Sequence, residues 1–124
     1  MCGIAGIYSQ SAELSSHRQV LERMMSSIQH RGPDESGVVH SEHLLMGSVR
    51  LNIIDLAGGT QPISDLSGRY WIVYNGEIFN YIELKNELEA KGYRLKTASD
   101  TEVLVQLYAV YGVRCLKKLN GQFA

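Results

Sequence analysis

Residues 2–8, Cys2-Gly3-Ile4-Ala5-Gly6-Ile7-Tyr8, are the stretch from which the rest of the chain is read. Residues 3–8 form a short apolar run rich in small residues, which predicts a buried strand. Cys2 stands directly after Met1, and a side chain this small permits removal of the initiator. Removal leaves a thiol and a free α-amine on one residue. A thiol titrates near about 8.5 and an α-amine near about 7.7–8.0. The amine can therefore take the thiol proton at neutral pH, directly or through one water, and return it to a leaving group. No histidine or aspartate is required. The plain alternative is a small buried residue opening a strand, and position alone favours it. With Met1 retained, the Cys2 nitrogen is an amide and this chemistry cannot run.

Outward from that strand the chain reads as one α+β piece with no internal repeat, low-complexity tract or linker. Ser15-Ser16 opens a helix whose apolar face carries Val20, Leu21, Met24, Met25 and Ile28, and Gly32-Pro33 ends it. Residues 37–41 and 43–49 read as strands, and residues 51–54 as a further apolar segment. Residues 57–59 and 65–68 read as loops. Residues 70–74 (YWIVY) predict a strong strand, with residues 77–79 able to pair back on it across Asn75-Gly76. Asn80 predicts a helix cap, with the helix stopping at Gly92. Residues 93–96 predict a short strand. Ser99 and Glu102 form a capping box ahead of Val103, Leu104, Leu107, Tyr108 and Tyr111, a stripe read as core packing. Residues 113–119 predict a further helical turn. Residues 119–124 read as a turn entering a strand, so the expectation is a fragment of a longer protein.

The chain has 124 residues, 12 Lys+Arg against 13 Asp+Glu, and a formal net charge of -1. That balance gives no electrostatic reason to expect a nucleic-acid or membrane partner. With 44% hydrophobic and 20% charged residues, the composition supports a core and argues against bulk disorder. No apolar run approaches the roughly 20 residues needed to span a bilayer. No basic region followed by a long apolar stretch marks a secretory signal. Two cysteines make no disulfide framework and have no zinc-site spacing, so the expectation is a reducing cytoplasm and no metal. His17, His40 and His43 show no ligand spacing, and Cys115 sits among apolar residues as a buried thiol.

Five segments occur in order: Cys2-Gly3-Ile4-Ala5-Gly6; His30-Arg31-Gly32-Pro33-Asp34-Glu35-Ser36-Gly37; Arg50-Leu51; Tyr74-Asn75-Gly76-Glu77-Ile78-Phe79-Asn80; and Ser99-Asp100-Thr101-Glu102. Together they resemble the class II glutamine amidotransferases, the N-terminal-nucleophile glutaminases, over nearly all of the chain. Within that group the Arg-Gly-Pro-Asp and Asn-Gly-Glu-Ile segments look like the glutaminase domain of glutamine-hydrolysing asparagine synthetases. Two positions depart from the pattern. Ser48 stands where many relatives carry histidine, and Asn52 where a smaller residue is common.

The resemblance implies that the Cys2 sulfur attacks the side-chain amide of L-glutamine, that ammonia leaves, and that water hydrolyses a γ-glutamyl thioester. It implies an oxyanion hole at the Asn75 side-chain amide and the Gly76 N–H. Losing one such donor typically costs about 3–4 kcal/mol of barrier. Asn-Gly between strand-like runs is also a tight-hairpin signal. The substrate carboxylate needs a forked cation, which Arg50 supplies. Its ammonium needs carboxylates, which the resemblance assigns to Asp100 and Glu77. The backbone of Leu51, Asn52, Ile53 and Ile54 would line the pocket. Each has a bland alternative: an acid favoured at a helix start for Asp100, a solvated charge for Glu77, and a surface ion pair worth at most about 1 kcal/mol for Arg50. His30 and Arg31 shape the pocket and ammonia exit, or simply end a helix.

The implied fold is a four-layer α/β/β/α N-terminal-nucleophile sandwich, here C-terminally truncated, with residues 1–124 a partial type 2 amidotransferase domain. The implied partner is an ATP-dependent synthetase domain that amidates aspartate; ATP and Mg belong to that absent domain, and this chain carries no cofactor. A homo-oligomer is compatible with this reading. The alternatives are an amidotransferase serving another acceptor and an unprocessed scaffold or regulatory module.

Overall fold

Residues 3–8 form strand β1 (Gly3–Tyr8) in the computed structural model, which describes residues 2–10, 14–51 and 59–124. Strand β3 (Leu44–Arg50) pairs antiparallel with β1 on one edge and with β2 (Glu35–His40) on the other, giving the order β1-β3-β2. A 3-10 turn (Ser15–His17) leads into α1 (Arg18–Ser27). Leu21 and Met25 of α1 pack with Leu14, Leu45 and Val49 into a first core. The helical face is narrower than the periodicity predicts, since Val20 and Met24 are exposed. Leu21 and Met25, one turn apart, already fill the side toward the sheet.

After α1 comes a 3-10 turn (Gln29–Arg31), then Gly32-Pro33 as expected. This loop lies on the end of β3. A Cβ on Gly32 would stand 2.4 Å from the Arg50 nitrogen, and the Asp34 N–H donates to the Arg50 carbonyl at 3.1 Å. Glycine is required there by contact with the strand.

The second core joins α2 (Tyr81–Ala90) and α3 (Asp100–Tyr111) through Leu84, Leu88, Val103, Leu104 and Leu107, with Tyr74, Ile78 and Cys115. Two short antiparallel pairs border it: β4 (Ile63–Ser64) with β5 (Trp71–Ile72), and β6 (Gly76–Ile78) with β7 (Gly121–Phe123). A 3-10 turn (Gly112–Lys118) precedes β7, matching the predicted helical turn.

Several expectations fail in this half. The strong strand predicted over 70–74 shrinks to Trp71–Ile72, and the Tyr74 N–H turns instead to the Gln61 side chain at 2.7 Å. Residues 77–79 do not pair back on it, because β6 takes β7 as partner; Asn75-Gly76 is no hairpin turn. Residues 93–96 form no strand, and the Lys96 and Thr97 N–H groups donate to the buried Glu102 carboxylate at 2.9 and 2.7 Å. Only half of the capping box therefore forms: Ser99 Oγ accepts the Thr101 N–H, while Glu102 serves the preceding loop. Asn80 holds the cap position of α2, yet its side chain bonds the Lys118 carbonyl and the Asn120 N–H, stapling α2 to the segment before β7. Tyr108 is not core: it is exposed and meets Tyr70 edge to face at 5.2 Å. The described residues are α+β with two cores. No helix among them is long and apolar enough to cross a membrane.

Candidate active site

A cavity of about 360 Å³ opens where the two cores meet, and Cys2, Arg50, Leu51, Asn75, Gly76, Glu77 and Asp100 all line it. Asn52, Ile53 and Ile54 were also expected there; they lie outside the described residues, as does Met1.

Cys2 sits partly buried just before β1. Arg31 Nε donates to its backbone carbonyl at 3.1 Å, so the 29–34 loop bears directly on the candidate nucleophile. His30 is exposed and does not line the cavity. Cys115 is buried, and burial pushes its thiol above the ordinary range, as expected of an unreactive core sulfur. Arg50 ends β3 and is buried, with Glu35 Oε2 at 3.2 Å across the strand pair. The surface-pair alternative for Arg50 is thereby set aside.

The opposite wall is strand β6, and its register decides what it offers. Asn75 and Ala124 exchange both backbone bonds, at 3.1 and 2.8 Å, and the Phe79 N–H reaches the Asn120 carbonyl at 2.7 Å. Alternate residues of an antiparallel strand turn their N–H groups to opposite edges. Gly76 and Ile78 thus point away from β7. On that edge the Ile78 N–H meets the Asp100 carboxylate at 3.0 Å, while the Gly76 N–H has no acceptor among the described residues. The Asn75 side-chain amide likewise has no hydrogen-bond partner among them. Gly76 cannot be another residue, because a Cβ would stand 2.3 Å from the Gln122 carbonyl and 2.5 Å from the Phe123 Cα.

Asp100 occupies the first turn of α3 without capping it, since Ser99 does that. Its carboxylate also accepts from Tyr74 Oη and Thr101 Oγ1, each at 3.4 Å. Burial, the Asp100 charge and hydrogen bond, and then Glu77 and Cys2 push the Tyr74 hydroxyl far above its ordinary value, so it remains a donor. Glu77 is exposed on the cavity rim. Ser48, noted as a departure, is buried and donates to the Gln61 carbonyl at 3.2 Å.

Among the lining residues that sequence reasoning missed are Gln61 and Tyr74. Tyr74 was absorbed into the predicted strand. Gln61 stands in a loop before Pro62, and only a polar residue of unassigned purpose marked it. Among the described residues no group of three His, Cys, Asp or Glu converges as metal ligands would.

The family described as "Glutamine amidotransferase domain" matches residues 1–124. The chain is 47% identical to asparagine synthetase [glutamine-hydrolyzing] 1 of Bacillus subtilis (strain 168), with all of the chain aligned to 20% of that protein. It is 40% identical to asparagine synthetase [glutamine-hydrolyzing] 3 of the same organism, again whole chain against 20%. It is 35% identical to asparagine synthetase B [glutamine-hydrolyzing] of Escherichia coli (strain K12), whole chain against 22%. The chain spans about a fifth of the length of the curated relatives it matches.

Proposed function

The chain belongs to the glutamine amidotransferase domain family, and on that footing we propose that it hydrolyses L-glutamine to glutamate and ammonia through a Cys2 thioester. The observation that carries this reading is the pairing of Cys2, on one wall of the cavity, with two polar donors unsatisfied among the described residues, the Gly76 N–H and the Asn75 amide, on the other. Donors fixed in advance, with no protein partner among the described residues to surrender, are what a developing oxyanion needs.

In this mechanism the freed Cys2 amine takes the thiol proton, and the sulfur bonds to the side-chain carbonyl carbon of glutamine. The carbonyl electron pair moves to oxygen, which Asn75 and Gly76 stabilise. The pair returns as the carbon–nitrogen bond breaks, and the ammonium that formed on Cys2 gives its proton to the leaving nitrogen, which departs as ammonia. Water then cleaves the thioester and restores the thiol. Arg50 holds the substrate carboxylate; Asp100 and Glu77 receive its ammonium, with the backbone of residues 51–54 along one side. Arg31 fixes the Cys2 carbonyl, and so the backbone that carries the sulfur.

Relatives that carry this domain are synthetases about five times as long. We place residues 1–124 within a type 2 amidotransferase domain of the four-layer α/β/β/α sandwich. Its ammonia passes to an ATP- and Mg-using synthetase domain that amidates aspartate. Both cysteines are free thiols, and a cytoplasmic compartment keeps the nucleophile reduced. The test is glutamate release from glutamine by the full-length protein with its N-terminus freed. Cys2→Ala should abolish it, while ammonia-dependent asparagine formation persists. Glutamate release that survives Cys2→Ala removes the nucleophile assignment.

A further inference from the structure

We infer that Gln61 is a positioning residue for the oxyanion cradle: its buried side-chain amide fixes the strand bearing Asn75 and Gly76 to the turn bearing Asp100. This rests on the glutaminase reading above and names a residue that reading leaves without a role. Gln61 is 5% exposed and lies in the loop before β4. Four segments converge on it. Its backbone carbonyl accepts Ser48 Oγ of β3 at 3.2 Å, and a Cβ on Gly37 of β2 would stand 2.1 Å from that same oxygen. Its side-chain Oε1 accepts the Tyr74 N–H at 2.7 Å. Its Nε2 donates to Thr101 Oγ1 at 3.4 Å.

A carboxamide has one acceptor end and one donor end, so it satisfies both partners in a single orientation. The consequence for the cradle follows from the backbone. The 74–78 stretch is held upstream at the Tyr74 N–H by Gln61 and downstream at the Ile78 N–H by Asp100. Thr101 joins the two anchors, accepting from Gln61 and donating to Asp100 Oδ1 at 3.4 Å. The Gly76 N–H hangs midway in this closed loop of bonds. Its direction is set by the anchors at the two ends of the stretch, and a shift near 1 Å can cost about a hundredfold in rate. A methionine fills the same space, leaves the Tyr74 N–H unmet and removes the donor to Thr101 Oγ1.

The test compares Gln61→Met and Gln61→Glu in the full-length protein with Cys2 freed. Gln61→Met should raise amide exchange across residues 74–78 by about tenfold or more, with β1 and β3 unchanged. Glutamate γ-semialdehyde supplies the second readout. The Cys2 thiol adds across its C=O, forming a C–S bond and placing an oxygen in the cradle. Its inhibition should weaken by about 10–100-fold, while L-glutamate, which forms no adduct, loses less than about threefold. Gln61→Glu keeps the acceptor end, so it should restore protection at Tyr74 and most of the semialdehyde affinity. Unchanged exchange, equal loss of both ligands, or a Glu variant that behaves as Met would each overturn the inference. If the unsubstituted protein neither releases glutamate nor binds the semialdehyde, the glutaminase reading falls; the exchange measurement still decides whether Gln61 anchors the strand.

Discussion

The half that carries Cys2 and the half that carries Asn75 and Asp100 are built by different forces. The first is a three-stranded sheet in continuous register under one helix, held by backbone ladders and apolar contact. The second has strands of two and three residues, and buried side chains do much of the backbone's hydrogen bonding there: Gln61, Asp65, Glu102 and Gln106 each accept at least one N–H. With the proposed nucleophile on the regular half and the proposed oxyanion donors on the side-chain-braced half, the two walls of the cavity are separately breakable. The largest effects should show that division. Leu21 and Leu88 are both fully buried, one in each core. Leu21→Ala and Leu88→Ala should each cost about 2–5 kcal/mol in urea unfolding. Hydrogen exchange should speed up in β1 and β3 for the first and in α2 and α3 for the second. Equal loosening of both halves by either variant would break the comparison.

The next effect probes the bracing itself. Glu102 is 3% exposed and accepts the Lys96 N–H, the Thr97 N–H and Thr97 Oγ1. Glu102→Gln keeps the shape but sets an NH2 group against donors. It should cost about 2–3 kcal/mol, with exchange rising over residues 93–99 and not in β2. A loss below about 0.5 kcal/mol would mean that the loop is held by packing alone.

The same difference sets what could be read from the sequence. Periodicity reports ladders and faces, so β1, β2, β3, α1 and α3 were legible to within a few residues. A carboxylate that claims two loop N–H groups leaves no periodic trace, so residues 93–96 read as a strand. YWIVY has the composition of a strand, but the Tyr74 N–H is claimed by an amide 13 residues earlier. The candidate site residues on described segments, which line one cavity, were picked out by their order along the chain, which resembles a family, not because any one spacing specifies the chemistry. Gln61 carries no such mark, and only coordinates bring it to Tyr74 and Thr101.

A smaller effect has a pH signature. Asp65 is buried, which alone would raise its pKa, but hydrogen bonds from Ser67, Tyr70 and Arg69 outweigh burial and hold it below 3.8. A carboxyl lowered in the folded state contributes stability above its ordinary value and loses it as pH falls through the folded value. Asp65→Asn should therefore cost about 1–2 kcal/mol at pH 7, and the gap from the parent protein should close below pH 3.8. A gap that stays constant with pH would assign the loss to shape rather than charge.

The smallest effect belongs to a pair that distance alone would rank with the important ones. Arg18 and Glu22 approach to 3.2 Å on α1, the same separation as Arg50 and Glu35. The side chains of the first pair are 67% and 58% exposed, whereas that of Arg50 is 9% exposed. Water and salt screen the exposed pair, and ordering two long side chains offsets much of what attraction remains. Glu22→Gln should change stability by less than about 0.5 kcal/mol, with no change in the proposed glutamine hydrolysis and little difference between low and high salt. A cost above about 1 kcal/mol would mean that α1 depends on surface charge for its place on the sheet, and the first half would then owe its stability to side-chain bonds as the second half does.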